Sequence, residues 1–373
     1  MAGKTKKINL LFYTPIDLAY GAGFETWVGK ITHLLKKEFN ISIVFSDVAD
    51  PKRWSDKLLR RKFAVSKLLR LHFLNFFSQI FLPDGNSLAK LYREFKKNDI
   101  VYFNCTFVLN DLLVVLISII SKTKVIFGFH APVFYENKLH NLYFRLITFN
   151  LLRFVKAVHV LNSHDEKYLK KFTPNISKIP AFLSSAEMPK QNVADFRGKF
   201  LFVGRFDFQK GLDLLVTALA KIFRIHERIK FVFFGSGPQR AFVEQLQKKY
   251  PKNVELNEFE NDKKKIYSKR KFILLSSRFE TFPAVLIEAM SYGLPVITTR
   301  IPGAIDIVTH GKNGFYISNP DENGIEKTVS RAVLLPKKIY NKMSKNAFLQ
   351  AQKYSDKIFK QKFSFLIKKN SES

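Results

Sequence analysis

Two glutamates, Glu280 and Glu288, flank seven residues inside the stretch SSRFETFPAVLIEAMSYGLPVITTRIPGAIDIVTHGKNG, which runs from Ser276 to Gly314. The run Phe272 to Ser276 is apolar and strand-like. Phe282-Pro283 then opens a segment, Ala284 to Tyr292, with no helix breaker until Gly293 and Pro295 close it. The order is strand, loop, helix, stop. A helix that starts directly after a strand aims free backbone N–H groups and a positive dipole end past the sheet edge, a natural seat for phosphate. A carboxylate cannot hold phosphate, but it accepts hydrogen bonds from vicinal hydroxyls, so two of them beside such a helix suit a sugar and a ribose. The plainer alternative is a buried helix with one acidic residue favouring its N-terminus.

Other residues fit the same chemistry. Lys199 to Val203 is a short strand, Gly204-Arg205 ends it, and Lys210-Gly211 opens the apolar-periodic segment Leu212 to Phe223. Arg205 and Lys210 therefore straddle a loop at a strand's carboxyl edge, where open α/β sheets bind ligands. Two fixed cations there can neutralise a nucleoside-diphosphate leaving group, or they are solvated surface charges with Arg205 paired to Asp207. Phe231 to Arg240, FVFFGSGPQR, is strand, loop and helix, and its glycines make either a donor loop or simply a tight turn. Near the N-terminus, Gly21 and Gly23 in YGAGFE precede a helix running to about Lys37, and glycines before a helix let amides approach an anion. Read as a dinucleotide fingerprint, GAGFET lacks the third glycine. Lys124 to Phe129 is a strand ending in Phe129-His130-Ala131-Pro132, and Pro132 keeps the imidazole at the strand's carboxyl end.

This pattern resembles the retaining GT-B glycosyltransferases of glycosyltransferase family 4, whose Glu-x7-Glu motif is followed by a Gly-x-Pro-Val turn, here Gly293-Leu294-Pro295-Val296. Pro283 stands where many members carry Gly, Asp306 where Glu is commoner, and Ala22 splits the glycines of a Gly-Gly-x-Glu loop. The resemblance implies Arg205 and Lys210 on the donor diphosphate, Glu288 on the ribose, Glu280 on donor-sugar hydroxyls and His130 at the reaction centre. It also implies the amides from Phe282 through Pro283, Ala284 and Val285 on phosphate or sugar, and Gly21 and Gly23 facing the inter-domain cleft. The implied fold is α/β, GT-B, with two Rossmann-like domains whose parallel sheets face each other across a cleft. The implied activity is retaining transfer of a sugar from a UDP- or GDP-linked donor, and with the charge pattern described below the expected acceptor is a lipid-linked or membrane-proximal glycan. A sugar phosphorylase or sugar-phosphate synthase of the same fold, and a non-enzymatic nucleic-acid binder, are the alternatives. The resemblance is strong over residues 200–317 and thinner elsewhere.

The elements that must position these residues recur in two series. Strand-like runs at 8–13, 41–46, 99–104, 124–129 and 156–161 alternate with helical patterns, and the alternation restarts near 199–203, 230–234, 272–276 and 295–299. The expected organisation is an acceptor- and membrane-side domain over 1–183, a linker over 184–198, a donor domain over 199–350, and a last helix over 351–373 crossing back to the first domain. Ser163 and Glu166 read as a capping box for a helix Asp165 to Phe172. His159 and His164 read as structural. Cys105 is the single cysteine, and neither Cys-x-x-Cys, His-Glu-x-x-His nor Asp-x-Asp occurs, so no disulfide, metal or cofactor is expected beyond the nucleotide-sugar substrate.

Charge is the second strong signal. With 62 Lys and Arg against 31 Asp and Glu, the net charge is +31, and the chain must attract something anionic. Lys52 to Arg70 interleaves cations with Trp54, Leu58, Leu59, Phe63, Leu68 and Leu69, and aromatics continue to Leu82. That pattern describes an interfacial membrane helix through Arg53, Trp54, Arg60, Arg61, Lys62 and Phe63, or else a core helix with a solvated basic face. No recognisable nucleic-acid module is present, so an anionic membrane surface is the expected partner. The longest apolar run, Leu112 to Ile120, is far short of the ~20 residues needed to span a bilayer. Lys4, Lys6 and Lys7 precede an apolar stretch that reads as a first strand rather than a signal peptide. The expected location is the cytoplasm, peripheral on the cytoplasmic face of the membrane.

Overall fold

The computed structural model of the chain describes residues 7–20, 23–48, 55–77, 80–105, 108–133 and 138–372. Two compact units emerge, Met1–Pro180 with Phe359–Ser373, and Ala181–Ile358.

In the first unit the strands are β1 (Ile8–Thr14), β2 (Phe39–Ser46), β3 (Lys67–Leu71), β4 (Phe73–Phe77), β5 (Ile80–Pro83), β6 (Ile100–Asn104), β7 (Lys124–Phe129), β8 (Ala157–Val160) and β9 (Ile176–Lys178). Seven of them form one sheet in the order β3-β2-β1-β6-β7-β8-β9, while β4 and β5 make a separate hairpin. Every pairing in the large sheet is parallel. Parallel strands are covered on both faces, which is why Leu10, Leu11, Phe12 and Tyr13 are all buried instead of alternating.

The second unit repeats the plan with β10 (Lys199–Val203), β11 (Phe231–Phe234), β12 (Val254–Asn257), β13 (Arg270–Leu275), β14 (Val296–Thr298) and β15 (Gly314–Tyr316). The order is β12-β11-β10-β13-β14-β15, again all parallel. Strand order reverses between β1 and β6 and between β10 and β13, and such switch points open a crevice at the strands' carboxyl ends. Phenylalanines pack across neighbouring strands of this sheet: Phe200 stacks on Phe231 at 5.1 Å and on Phe272 at 5.6 Å, and Phe202 meets Phe233 at 5.8 Å.

Three sequence expectations are corrected. The pattern of Lys52 to Arg70 and its continuation to Leu82 does not form one helix: among the described residues Asp56–Lys62 is a short helix, followed by β3, β4 and β5. Phe63 is buried, its ring 3.6 Å from where a Cβ of Gly29 would sit, so it belongs to the core with Leu59 one turn earlier. Arg61 is exposed and Lys62 half-buried, while Arg53 and Trp54 lie outside the described residues and Arg60 is described only as part of the helix. The stretch 184–198 is no free linker, because Asn192 Nδ2 donates to Ser344 Oγ at 2.7 Å and the Asp195 amide to the Arg270 carbonyl at 3.0 Å, both within the second unit. The helix Ser163–Leu169 is capped by Asn162, whose side chain accepts from the Asp165 amide at 2.8 Å, and Ser163 is its first residue rather than its cap.

Phe200 touches rings on both neighbouring strands with almost no exposure. Phe200→Ala is expected to lower unfolding stability by about 3–5 kcal/mol, measured by chemical denaturation; a loss below about 1 kcal/mol would show that the aromatic ladder is not what holds this sheet.

Candidate active site

Parallel pairing of β10 with β13 brings the loops after both strands to the same edge of the second unit. After β10 the chain makes a tight turn, Phe208–Lys210, capped by Asp207, whose side chain accepts from the Lys210 amide at 3.1 Å. Gly211 follows at φ 62, and a Cβ there would run into the Ser276 carbonyl, so glycine is what lets the two loops touch. Ser276 Oγ donates back to the Lys210 carbonyl at 2.9 Å, and the Arg278 amide donates to the Gln209 carbonyl at 2.8 Å. With the loops locked, Lys210 Nζ forms an ion pair with Glu280 Oε1, which also accepts from Ser277 Oγ at 3.1 Å. The two side chains are only 14% and 11% exposed. Arg205 is more open and pairs with Asp207 Oδ2 at 2.9 Å and Gln209 Oε1 at 3.1 Å.

The helix Ala284–Ser291 starts four residues after Glu280 with no side-chain cap, and the Leu286 amide bonds the Pro283 carbonyl at 2.9 Å. Its first-turn N–H groups are those that a helix leaves for an outside acceptor. Ala284 is exposed and Val285 half-buried, whereas Phe282 and Pro283 are buried, the Phe282 ring packing 5.7 Å from Tyr354. Of the four residues singled out in sequence, Pro283 has no N–H, so only three can offer one. Glu288 lies on the first turn's continuation and accepts from Lys263 Nζ at 2.6 Å and Tyr267 Oη at 2.7 Å. Burial, and then the charge of Glu288, push the Tyr267 hydroxyl well above its ordinary pKa, so it stays a donor. Lys263 and Tyr267 escaped sequence reasoning because they lie 25 and 21 residues upstream of their partner with no local spacing to betray them. Gly235 is needed for packing: a Cβ there would overlap the Gly204 carbonyl.

In the first unit, His130 follows β7 and sits against Trp27 at 4.2 Å and Phe24 at 4.9 Å. A hydrogen-bonded chain fixes its tautomer. His159 Nε2 lies 2.7 Å from the Ile179 carbonyl, which can only accept, so His159 carries its proton there and its Nδ1 accepts from Tyr102 Oη at 2.6 Å. The Tyr102 oxygen then accepts from His130 Nε2 at 2.8 Å, leaving His130 Nδ1 as the lone-pair nitrogen. Burial holds His159 down at about 4, and desolvation together with nearby His159 keeps His130 well below the usual imidazole range, so both rings are neutral. Gly128 makes room, because a Cβ there would overlap the Tyr102 hydroxyl. Sequence reasoning found His130 but set His159 aside and missed Tyr102. Gly23 begins the helix Gly23–Leu35 with open space where its Cβ would be, and Gly21 lies outside the described residues. Among the described residues no group of three or more His, Cys, Asp or Glu is arranged to hold a metal ion.

Two parallel α/β domains with these sheet orders define the GT-B fold, and solved structures agree. The Anabaena HepE structure in complex with UDP and glucose superposes with a TM-score of 0.74 at 17% identity, covering 97% of this chain and 100% of that one. Residues 184–350 match the family model described as Glycosyl transferases group 1. An uncharacterized glycosyltransferase of Methanocaldococcus jannaschii is 34% identical over 146 residues, 37% of this chain and 37% of that protein. The Campylobacter jejuni alpha-1,4-N-acetyl-D-galactosaminyltransferase that acts on GalNAc-alpha-(1->4)-GalNAc-alpha-(1->3)-diNAcBac-PP-undecaprenol is 26% identical over 209 residues, 54% of this chain and 58% of that protein. The chain thus spans less than two thirds of the length of these curated relatives.

The neutral histidines make stability depend on acid in a defined window. An unfolded His protonates near 6.5, whereas folded His159 does so only at about 4. Between those values the unfolded chain holds more protons, so stability falls as pH drops from about 6.5 toward about 4, by up to about 1.4 kcal/mol per pH unit for each such histidine, and is flat above. Urea titrations at about pH 7.5, about 6 and about 5 on the parent and His159→Gln should show the shallower dependence in the variant; identical slopes would mean His159 does not titrate as its surroundings dictate.

Proposed function

We propose that this protein is a retaining glycosyltransferase that moves a sugar from a nucleotide-diphosphate sugar to a lipid-linked or membrane-proximal glycan acceptor. The observation that carries the reading is the Lys210–Glu280 pair, whose Glu280 lies four residues ahead of the uncapped start of the helix Ala284–Ser291. A donor diphosphate there would draw Lys210 and Arg205, and the Ala284 and Val285 amides would meet a phosphate or sugar oxygen. Lys210 then exchanges a carboxylate for a phosphate, and the released Glu280 accepts from donor-sugar hydroxyls. Glu288, held in place by Lys263 and Tyr267, accepts from the ribose. His130 is assigned the donor-sugar contact on the family resemblance, through its Nδ1 as acceptor.

In the proposed reaction the bond from the sugar's anomeric carbon to the diphosphate oxygen breaks, and the nucleoside diphosphate leaves with the electron pair. The acceptor oxygen bonds the same face of that carbon, and its proton passes to the leaving phosphate. Protein cations take the charge of the leaving group, so no divalent metal is required. UDP as nucleotide is supported by the HepE complex, and a lipid-linked acceptor by the undecaprenol-linked substrate of the Campylobacter jejuni relative. No helix among the described residues is long and apolar enough to cross a membrane, and a peripheral place on the cytoplasmic face suits such an acceptor.

Two experiments test this. Glu288→Ala should weaken UDP binding by about 1.5–3 kcal/mol, the value of hydrogen bonds to a charged acceptor, whereas Glu280→Gln should lower turnover far more than UDP affinity. Calorimetry and a transfer assay on folded variants decide, and parent-like behaviour in both would remove these residues from the site. Transfer should also survive excess chelator; activity abolished by chelator and restored by magnesium or manganese would show that the protein cations do not suffice.

A further inference from the structure

The first unit carries an apolar face that its own core leaves uncovered. It is built from the helix Asn110–Ser121, which connects β6 to β7, and from the helical segment 138–154, which connects β7 to β8. Both crossovers step the same way across the sheet, and right-handed connections place them on the same side. A buried carboxylate ties them together: Asp111 accepts from Tyr143 Oη at 2.5 Å and from Thr148 Oγ1. The segment 138–154 buries Phe144, Thr148, Phe149 and Leu152. Its opposite stripe, at helical spacing, is Leu139, Leu142 and Leu146, which are 78%, 52% and 64% exposed. The neighbouring helix adds Ile119 and Ile120, 57% and 69% exposed. Large aliphatic side chains repeated at this spacing toward water are unlike the scattered exposed apolar residues of an ordinary surface.

Charge selects the occupant. From residue 138 to residue 164 the sequence has no Asp or Glu, and it places Lys138, Arg145, Arg153 and Lys156 among the leucines. All four cations are exposed. A second copy of the chain would bring these like charges onto themselves, since a two-fold contact repeats the same patch on both sides. An anionic bilayer satisfies both halves of the pattern, phosphates for the cations and acyl chains for the leucines.

We propose that this face, formed by the helix Asn110–Ser121 and the segment 138–154, docks the protein on an anionic membrane surface. The contact gains its purpose from the lipid-linked acceptor and in that respect rests on the reading above. It moves the membrane seat away from Trp54 to Leu82, whose Phe63 and Phe73 are core residues.

The test uses the full chain with vesicles of phosphatidylcholine alone and of phosphatidylcholine mixed with phosphatidylglycerol. The parent should co-sediment with the mixed vesicles, weakly with the neutral ones, and less as salt rises. Arg145→Glu/Arg153→Glu should weaken binding to the mixed vesicles by more than about tenfold, because each basic residue near an anionic surface contributes about 1 kcal/mol. Leu139→Ser/Leu142→Ser/Leu146→Ser should lose binding even at low salt, and if that variant does not fold, the charge-reversal variant decides alone. Parent-like vesicle binding by the folded variants would overturn the proposal, as would a parent oligomer that either variant dissociates, which would assign the face to self-association. UDP affinity is measured alongside: its absence in the parent would count against the glycosyltransferase reading and leave the vesicle comparison to decide the docking face.

Discussion

The parallel pairing of β10 with β13, with Leu201 opposite Ile273, is the constraint on which the candidate site depends. Parallel strands deliver all their carboxyl ends to one edge, so the loop carrying Arg205 and Lys210 and the loop carrying Glu280 have to emerge side by side although about seventy residues separate them in sequence. Close approach then demands the absence of a side chain at the crossing, and glycine at Gly211 supplies it. Only when the backbones touch can Ser276, Gln209 and Arg278 stitch them, and only then does Lys210 reach Glu280. The site is thus a consequence of strand order first and of side-chain chemistry second.

Charge follows from this geometry. Acids are outnumbered two to one in the chain, yet the two site glutamates are nearly buried, and a carboxylate can be so placed only if a cation or hydrogen bonds compensate it. Lys210 and Ser277 serve Glu280, and Lys263 and Tyr267 serve Glu288. Such pairs add little net stability, because desolvation consumes much of the Coulomb gain. Their value in the proposed reading is that a diphosphate can replace the carboxylate at Lys210 without leaving that cation unpaired. Removing Glu280 to alanine would strand Lys210, which is why glutamine, similar in shape and still an acceptor, is the cleaner probe.

Much of this was legible in the sequence where the signal was local. The strand runs, the helix after Pro283, the spacing of Glu280 and Glu288 and the place of His130 all rest on residues a few positions apart. What the sequence could not show was long-range. Tyr267, Lys263, Tyr102 and His159 meet their partners only through tertiary packing. The basic, apolar stretch from Lys52 to Arg70 misled for a physical reason. Short apolar runs do not distinguish helix from strand, and here β3 is the edge strand of its sheet, where cations are expected because they deter pairing with another chain. Lys67 reaches Glu94 at 2.6 Å and Arg70 lies 5.2 Å from the centre of the Phe45 ring, so these cations protect an edge and cover a core ring. The exposed leucines of 138–154 were equally present in the sequence, but without the fold nothing separates a stripe that faces water from one that faces a sheet.

The two units hold their key side chains by different physics, and the difference has consequences. In the second unit the groups are charged and paired, with side chains 14% and 11% exposed at Lys210 and Glu280, so salt screens them only slightly and their arrangement responds chiefly to a competing anion. In the first unit His130 is neutral, oriented by Tyr102, His159 and a backbone carbonyl, and surrounded by aromatic rings. Its direction is therefore insensitive to ions and sensitive to acid, since protonating His159 at Nδ1 would turn an acceptor into a donor and force the Tyr102 hydroxyl to rotate. That rotation would take away the acceptor that keeps the His130 proton on Nε2. A single protonation two residues removed from His130 along the chain of hydrogen bonds thus decides which nitrogen His130 presents, and the carbonyl of Ile179, which can never donate, is what anchors the sequence in its neutral form.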